Sequence, residues 1–290
     1  MRASLIWHNL IRSRFAGCFV ELRKTALLGA IMKNNLTRRR FAGCLTAMMA
    51  SPALVGRAHA QARMDLTIPE GITQGGPTTI ARIPTDQPVV AMTFDDGPHE
   101  TLTPQLLDML AARNIRATFY LIGRRVALYP ELTRRIAAEG HEIGNHTWNH
   151  PRLTSLGNDG LLRELDRTTV VINETVGRPP VTMRPPYGLL SMRQRNVIYE
   201  ARQLPTILWS VDPEDWRRPG SSVVANRIVS RSHTGAVILA HDIIGATVRA
   251  MPAALDGLIA RGYRFTTVSE LMGWPRWDTR NIRLASGSAG

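Results

Sequence analysis

The chain has 290 residues, 44% of them hydrophobic, with 36 Lys and Arg against 23 Asp and Glu and a formal charge of +13. This apolar content is ample for a core and excludes a disordered chain, while the length holds one large domain or two small ones. The first 60 residues contain 10 of the basic residues, one acid and both cysteines, Cys18 and Cys44; the remainder, at +4 with no basic run, offers no nucleic-acid footprint and must hold any metal through His and carboxylate.

In chain order, residues 1 to 31 read as an over-extended N-terminus, because a signal begins at Met32. Thr37-Arg38-Arg39-Arg40-Phe41 matches a twin-arginine export signal, followed by an apolar stretch from Leu45 to Val55 and a small-x-small cleavage site at Ala58-His59-Ala60. The apolar run is too short to span a bilayer, which takes roughly 20 residues. Residues 61 to 87 read as an extended lead-in. From Pro88, strand-length apolar runs alternate with amphipathic segments. The predicted strands are Val89–Phe94, Ala117–Ile122, His141–Asn145, Thr182–Arg184, Thr206–Val211, Ala236–Ala240 and Phe265–Val268. The predicted helices start at Thr103-Pro104, with Thr103 as cap, and then cover Pro130–Ala138, Leu161–Thr175, Met192–Arg202, Val223–Ser232 and Arg249–Arg261. About seven alternations predict an α/β fold, a distorted (β/α)7-type barrel in a single domain from 88 to 275, followed by a tail from 276 to 290.

Five motifs fall at the C-terminal ends of predicted strands, where such barrels carry their sites. Asp95-Asp96, in Thr93-Phe94-Asp95-Asp96-Gly97-Pro98, places two carboxylates side by side, which requires a metal, an arginine or a shared proton; a bare surface turn is the bland alternative. His146 and His150, four apart, put two imidazoles on one side of a turn or helix, and with Asp96 they make a two-His, one-carboxylate set that leaves positions open for water and substrate. Arg184, before Pro185-Pro186-Tyr187, can pair bidentately with a carboxylate, and the Tyr187 amide is the next donor for an oxyanion. His241 closes an apolar strand, and Asp215 is a partner that would keep it protonated near neutral pH, as a general acid requires. Trp216 and Trp148 could stack on sugar faces or simply be core, whereas His99, His141 and His233 read as unpaired packing or surface residues.

In type and order, over roughly Pro88 to Gly273, these motifs resemble those of the polysaccharide deacetylase family, also called the NodB homology domain or carbohydrate esterase family 4. The resemblance implies a divalent metal, zinc before cobalt or another ion, held by Asp96, His146 and His150. It implies Asp95 as catalytic base oriented by Arg184, the Tyr187 amide in an oxyanion site, and His241 as catalytic acid set by Asp215. Trp216 and Leu239 would shape the pocket for the acetyl methyl. The implied reaction removes N-acetyl groups from N-acetylglucosamine-containing polysaccharide, peptidoglycan or a chitin-like oligomer, giving acetate and free amine. Rival readings are an O-acetyl (acetylxylan) esterase with the same machinery, a glycan-binding module without turnover, and an iron(II) site for oxygen chemistry. The leader predicts the twin-arginine machinery as a partner, a periplasmic or extracellular location, and no membrane span in the mature protein.

Overall fold

A computed structural model describes residues 66–277, all within one compact unit, Ala60–Gly290. The over-extended N-terminus, the twin-arginine signal and residues 278–290 of the predicted tail lie outside the described residues. Seven strands alternate with helices: β1 (Thr79–Ile80), β2 (Val89–Asp95), β3 (Thr118–Leu121), β4 (Glu142–Asn145), β5 (Thr206–Ile207), β6 (Ala236–His241) and β7 (Arg264–Phe265). The helices are α1 (Leu102–Ala111), α2 (Gly123–Leu128), α3 (Pro130–Ala138), α4 (Asn158–Val176), α5 (Met192–Arg202), α6 (Ser221–Arg231), α7 (Gly245–Ala260) and α8 (Val268–Leu271). None is long and apolar enough to cross a membrane.

β2 is the hub. It pairs in parallel with β6 over six residue pairs, from Val90↔Ala236 to Asp95↔His241. Its other edge is divided, with β7 at Val89–Val90 and β3 at Thr93–Asp95. β3 pairs with β4, and the ring then closes through single bridges: Asn145 to Met183, Met183 to Thr206, and Val211 to Ile238. β1 lies against β5 and reaches β6 through an antiparallel bridge at Arg82↔Ala236. The result is the distorted parallel barrel expected from the alternation.

Side chains on a strand alternate faces. Thr93 and Asp95 of β2 therefore point into the ring with their β6 partners Leu239 and His241. Phe94 points the other way, its ring 5.2 Å from that of Phe119, and both join Leu106, Leu107 and Leu110 of α1 in the main hydrophobic cluster. Truncating a fully buried ring such as Phe94 to alanine would cost about 3–5 kcal/mol.

Several expectations change. The predicted strand Thr182–Arg184 shrinks to Met183 alone, which bridges Asn145 on one side and Thr206 on the other, because Pro185 and Pro186 have no amide hydrogen to extend a ladder. Phe265–Val268 is not one strand: β7 ends at Phe265, and Thr267 with Glu270 forms a capping box that opens α8. Thr103 is not a cap; α1 starts at Leu102 and the Thr103 side chain is buried and engaged elsewhere. The lead-in supplies β1 and the buried Ile72, Ile80 and Ile83, so the described part of 61–87 belongs to the barrel. Trp277, assigned to the tail, is buried and donates its indole N–H to the Pro179 carbonyl at 3.0 Å.

Candidate metal centre and acid–base pair

The chain leaves β2 at Asp95 and turns at once: Asp96 has φ 76, a left-handed conformation that costs a non-glycine residue about 1–3 kcal/mol and persists only where surroundings impose it. Thr147, His150, Tyr187 and Glu214, each in or beside a motif, share this conformation with φ between 56 and 67. The His146–His150 segment is a turn rather than a helix. It is held from both sides. Asn145 accepts the Thr147 amide at 2.9 Å, and Glu164 of α4 accepts the amides of Trp148 and Asn149 at 2.9 and 2.8 Å.

This folding brings Asp96 Oδ1 within 3.3 Å of both His146 Nε2 and His150 Nε2, and the three ligand atoms all lie within 4.8 Å of one another. His146 Nδ1 sits 2.7 Å from the Arg184 carbonyl, which can only accept, so Nδ1 carries the hydrogen and Nε2 presents its lone pair to Asp96. Asp96 Oδ1 is buried without a hydrogen-bond partner among the described residues. Two imidazole nitrogens and an unsatisfied carboxylate oxygen gathered within 4.8 Å of one another fit a divalent cation. Burial opposes the charged form of Asp96, but His146, His241 and His150 hold its carboxyl well below the usual range. Burial likewise opposes a proton on His146; there Asp95 and Asp96 prevail and the pKa rises, while at His150 burial prevails and it falls.

Asp95 is buried, and its Oδ1 accepts from Arg184 Nη1 at 2.7 Å while Oδ2 stands 3.8 Å from His146 Nε2. The bidentate pair expected for Arg184 does not form. Its other nitrogens donate to the barrel backbone, Nε to Ile207 at 3.2 Å and Nη2 to Leu208 at 3.0 Å, and Nη1 is shared with Thr93 Oγ1 at 2.7 Å. The guanidinium lies over the Tyr120 ring, 4.2 Å from its centroid. That ring occupies the space where a Cβ on Gly144 would be, so the glycine makes room for the support of Arg184. Arg184 is wholly enclosed and fixed at every nitrogen, which leaves Asp95 one position and a free oxygen.

Opposite Asp95 across the β2–β6 pair is His241. Its Nδ1 lies 2.8 Å from Asp215 Oδ1, and Asp215 Oδ2 accepts the His241 amide and the Thr247 hydroxyl, each at 2.8 Å. With both oxygens occupied, the buried Asp215 fixes the proton on Nδ1 and leaves Nε2 to face the site. Burial lowers the pKa of His241, but the hydrogen bond and charge of Asp215 outweigh it and push the pKa up to about 9. Asp242, next along the chain, is fully buried, and burial pushes its carboxyl up to about 7.

Tyr187 sits beside the ligands, its exposed ring 4.7 Å from that of His150 and covered by Arg152. Leu239 lines the interior and is buried; Trp216 is half exposed, with Arg217 over its ring. Trp148 stacks against Arg167. The histidines read as unpaired have partners: buried His141 accepts the Ala117 amide at 3.1 Å, His99 Nδ1 accepts the Thr101 amide at 3.2 Å, and His233 Nδ1 bonds the Thr234 carbonyl at 3.0 Å. Burial lowers the pKa of His141 to about 4. The sequence reading missed Thr93, Tyr120, Glu164 and Thr247, which hold the acting groups in place.

Residues 82–206 match the profile of the polysaccharide deacetylase family. The peptidoglycan-N-acetylglucosamine deacetylase PgdA of Listeria monocytogenes is 38% identical over 184 residues, 63% of this chain; the match spans only 39% of that relative's length. A peptidoglycan-N-acetylglucosamine deacetylase of Bacillus cereus is 38% identical over 195 residues, 66% of this chain and 91% of that protein. The solved structure of the peptidoglycan deacetylase PdaC from Bacillus subtilis superposes with a TM-score of 0.61 at 37% identity, covering 65% of this chain and 91% of that one.

Proposed function

Because the chain belongs to the polysaccharide deacetylase family, we propose that it removes N-acetyl groups from an N-acetylglucosamine-containing polysaccharide, with peptidoglycan ahead of chitin-like oligomers. The observation that carries this reading is the placement of a buried, arginine-fixed carboxylate and a carboxylate-fixed imidazole on paired strand ends beside a two-His, one-Asp triad. A divalent ion, zinc before cobalt, held by Asp96, His146 and His150 would supply Lewis acidity toward water and the acetamide carbonyl. Asp95 Oδ2, free of Arg184, takes the proton from the attacking water. The Tyr187 amide donates to the carbonyl oxygen as negative charge develops there. His241, charged through Asp215, gives its Nε2 proton to the departing amine. Leu239 closes the interior behind the acetyl methyl, and Trp216 offers a face to the sugar. The products are acetate and a free amino sugar.

The leader supports export by the twin-arginine machinery to the periplasm or beyond, where envelope glycans would be met. N-terminal sequencing of precursor retained by an export-deficient host tests this, together with the start at Met32; a mature protein left in the cytoplasm would end the export reading. For the reaction, the test is acetate release by the full chain, with zinc or cobalt, from N-acetylglucosamine oligomers, peptidoglycan and acetylxylan, with Asp95→Asn as control. Release from the first two, abolished by the substitution, is expected. Release from acetylxylan alone would replace the amidase with an esterase.

A further inference from the structure

The β2–β6 ladder stops at Asp95↔His241, yet Asp96 and His241 must keep their relative placement past that point. Immediately beyond it, a side-chain link takes over from the backbone. Asp242 is fully buried and its carboxylate lies flat against the bare Cα of Gly97: a Cβ there would run into both oxygens, 2.6 Å from Oδ1. The Thr103 hydroxyl, buried in the first turn of α1, donates to Asp242 Oδ2. That hydroxyl also accepts the His99 amide at 2.7 Å, so each of its bonding directions is assigned: an amide can only donate, and the hydroxyl hydrogen goes to Asp242. A continuous link, buried at Asp242 and Thr103 and partly buried at His99, thus runs from the residue after His241, through Thr103, to the turn after Asp96. The same turn is held on its β3 side by the Ile122 amide, which donates to the Gly97 carbonyl at 3.1 Å, and by Arg125 Nη1 on the Pro98 carbonyl at 3.4 Å. Asp242 supplies the hold from the β6 side.

We propose that Asp242 is a positioning residue that, through Thr103 and the close approach at Gly97, locks the turn bearing Asp96 to the strand end bearing His241. The left-handed backbone at Asp96 is the conformation this lock maintains. A buried carboxyl that served only packing would need neither the glycine it presses on nor the two-way hydroxyl. The proposal rests on the deacetylase reading for its kinetic consequence and on geometry alone for its effect on the metal triad.

The experiment compares Thr103→Val, which keeps shape and removes both hydrogen bonds, Thr103→Ser, which restores them, and Asp242→Asn. Zinc affinity is measured by titration calorimetry on the full chain, with the thermal midpoint and, on N-acetylglucosamine oligomers, kcat and KM. Expected for Thr103→Val and Asp242→Asn is zinc binding weakened about 10-fold or more, as for other supports of metal ligands. In these two variants kcat falls by a similar factor and KM stays within about two-fold; Thr103→Ser recovers both zinc binding and kcat. Thermal midpoints that fall while zinc affinity and kcat stay at wild-type values would overturn the proposal and leave a packing carboxyl. If the unaltered protein releases no acetate, the reaction has failed and the zinc arm alone decides the lock.

Discussion

The site has two halves built by opposite means. The Asp96–His146–His150 triad is carried on turns, with left-handed backbone at Asp96, Thr147 and His150, and one of its atoms, Asp96 Oδ1, is buried with no hydrogen-bond partner among the described residues. The Asp95–Arg184 and Asp215–His241 pairs are carried on or against strand ends, and the supporting member of each is fully engaged: Arg184 donates from three nitrogens, and both Asp215 oxygens are taken. The acid and base are thus set by the protein alone, whereas the triad needs a cation to satisfy it. A site arranged in this way should lose its ion without losing its acid–base geometry.

Chelation is the largest test of that separation. Removing the divalent ion should take acetate release to background, with recovery on adding zinc or cobalt in the wild type and none in Asp96→Ala; activity that survives exhaustive chelation would contradict the role given to the triad. Asp95→Asn should lower kcat by about 10³-fold, within the range for a lost general base, while zinc binds within a few-fold of wild type. Coupled loss of zinc would mean that the two halves are one. Asp215→Asn should lower kcat by about 10²-fold and change the pH profile. His241 must be protonated to act, and its raised pKa keeps it so until about 9, so activity should fall as pH rises through that value. Without the Asp215 charge the pKa drops and the basic limb moves to lower pH; an unmoved limb would assign it to another group. Glu164→Gln loosens the turn that presents the histidines and should weaken zinc affinity about 10-fold, with kcat preserved at saturating zinc. Trp216→Ala should raise KM a few-fold and leave stability within about 0.5 kcal/mol, because the ring is half exposed.

The two halves also differ in what could be read from the sequence. Ligands and reacting groups stand in short motifs whose residue types are dictated by chemistry, so Asp96, His146 and His150 could be grouped before any coordinates. Their supports could not. Thr93 reaches Arg184 across 91 positions and Thr247 reaches Asp215 across 32, and nothing local to a threonine announces such a partner. The bidentate geometry expected of Arg184 failed for the same reason, since the carbonyls of Ile207 and Leu208 compete for its donors. In the fold, long apolar runs identified β2 and β6, while β1 is two residues in a polar segment and exists only because β5 is beside it. The end of Phe265–Val268 was readable and missed: Thr267 and Glu270 are spaced as a capping box.

The alternation along β2 bounds how this protein can change by descent. Thr93 and Asp95 face the interior and Phe94, between them, faces the helices. Inserting or deleting one residue between Val89 and Asp95 would exchange the two sets, setting a phenyl ring against Arg184 and a carboxylate among leucines. A lineage can therefore alter this site by a single substitution, but it cannot vary the length of this strand and keep the site. Insertions and deletions should collect instead in the loops after His150 and after Trp216, which lie outside the ladder.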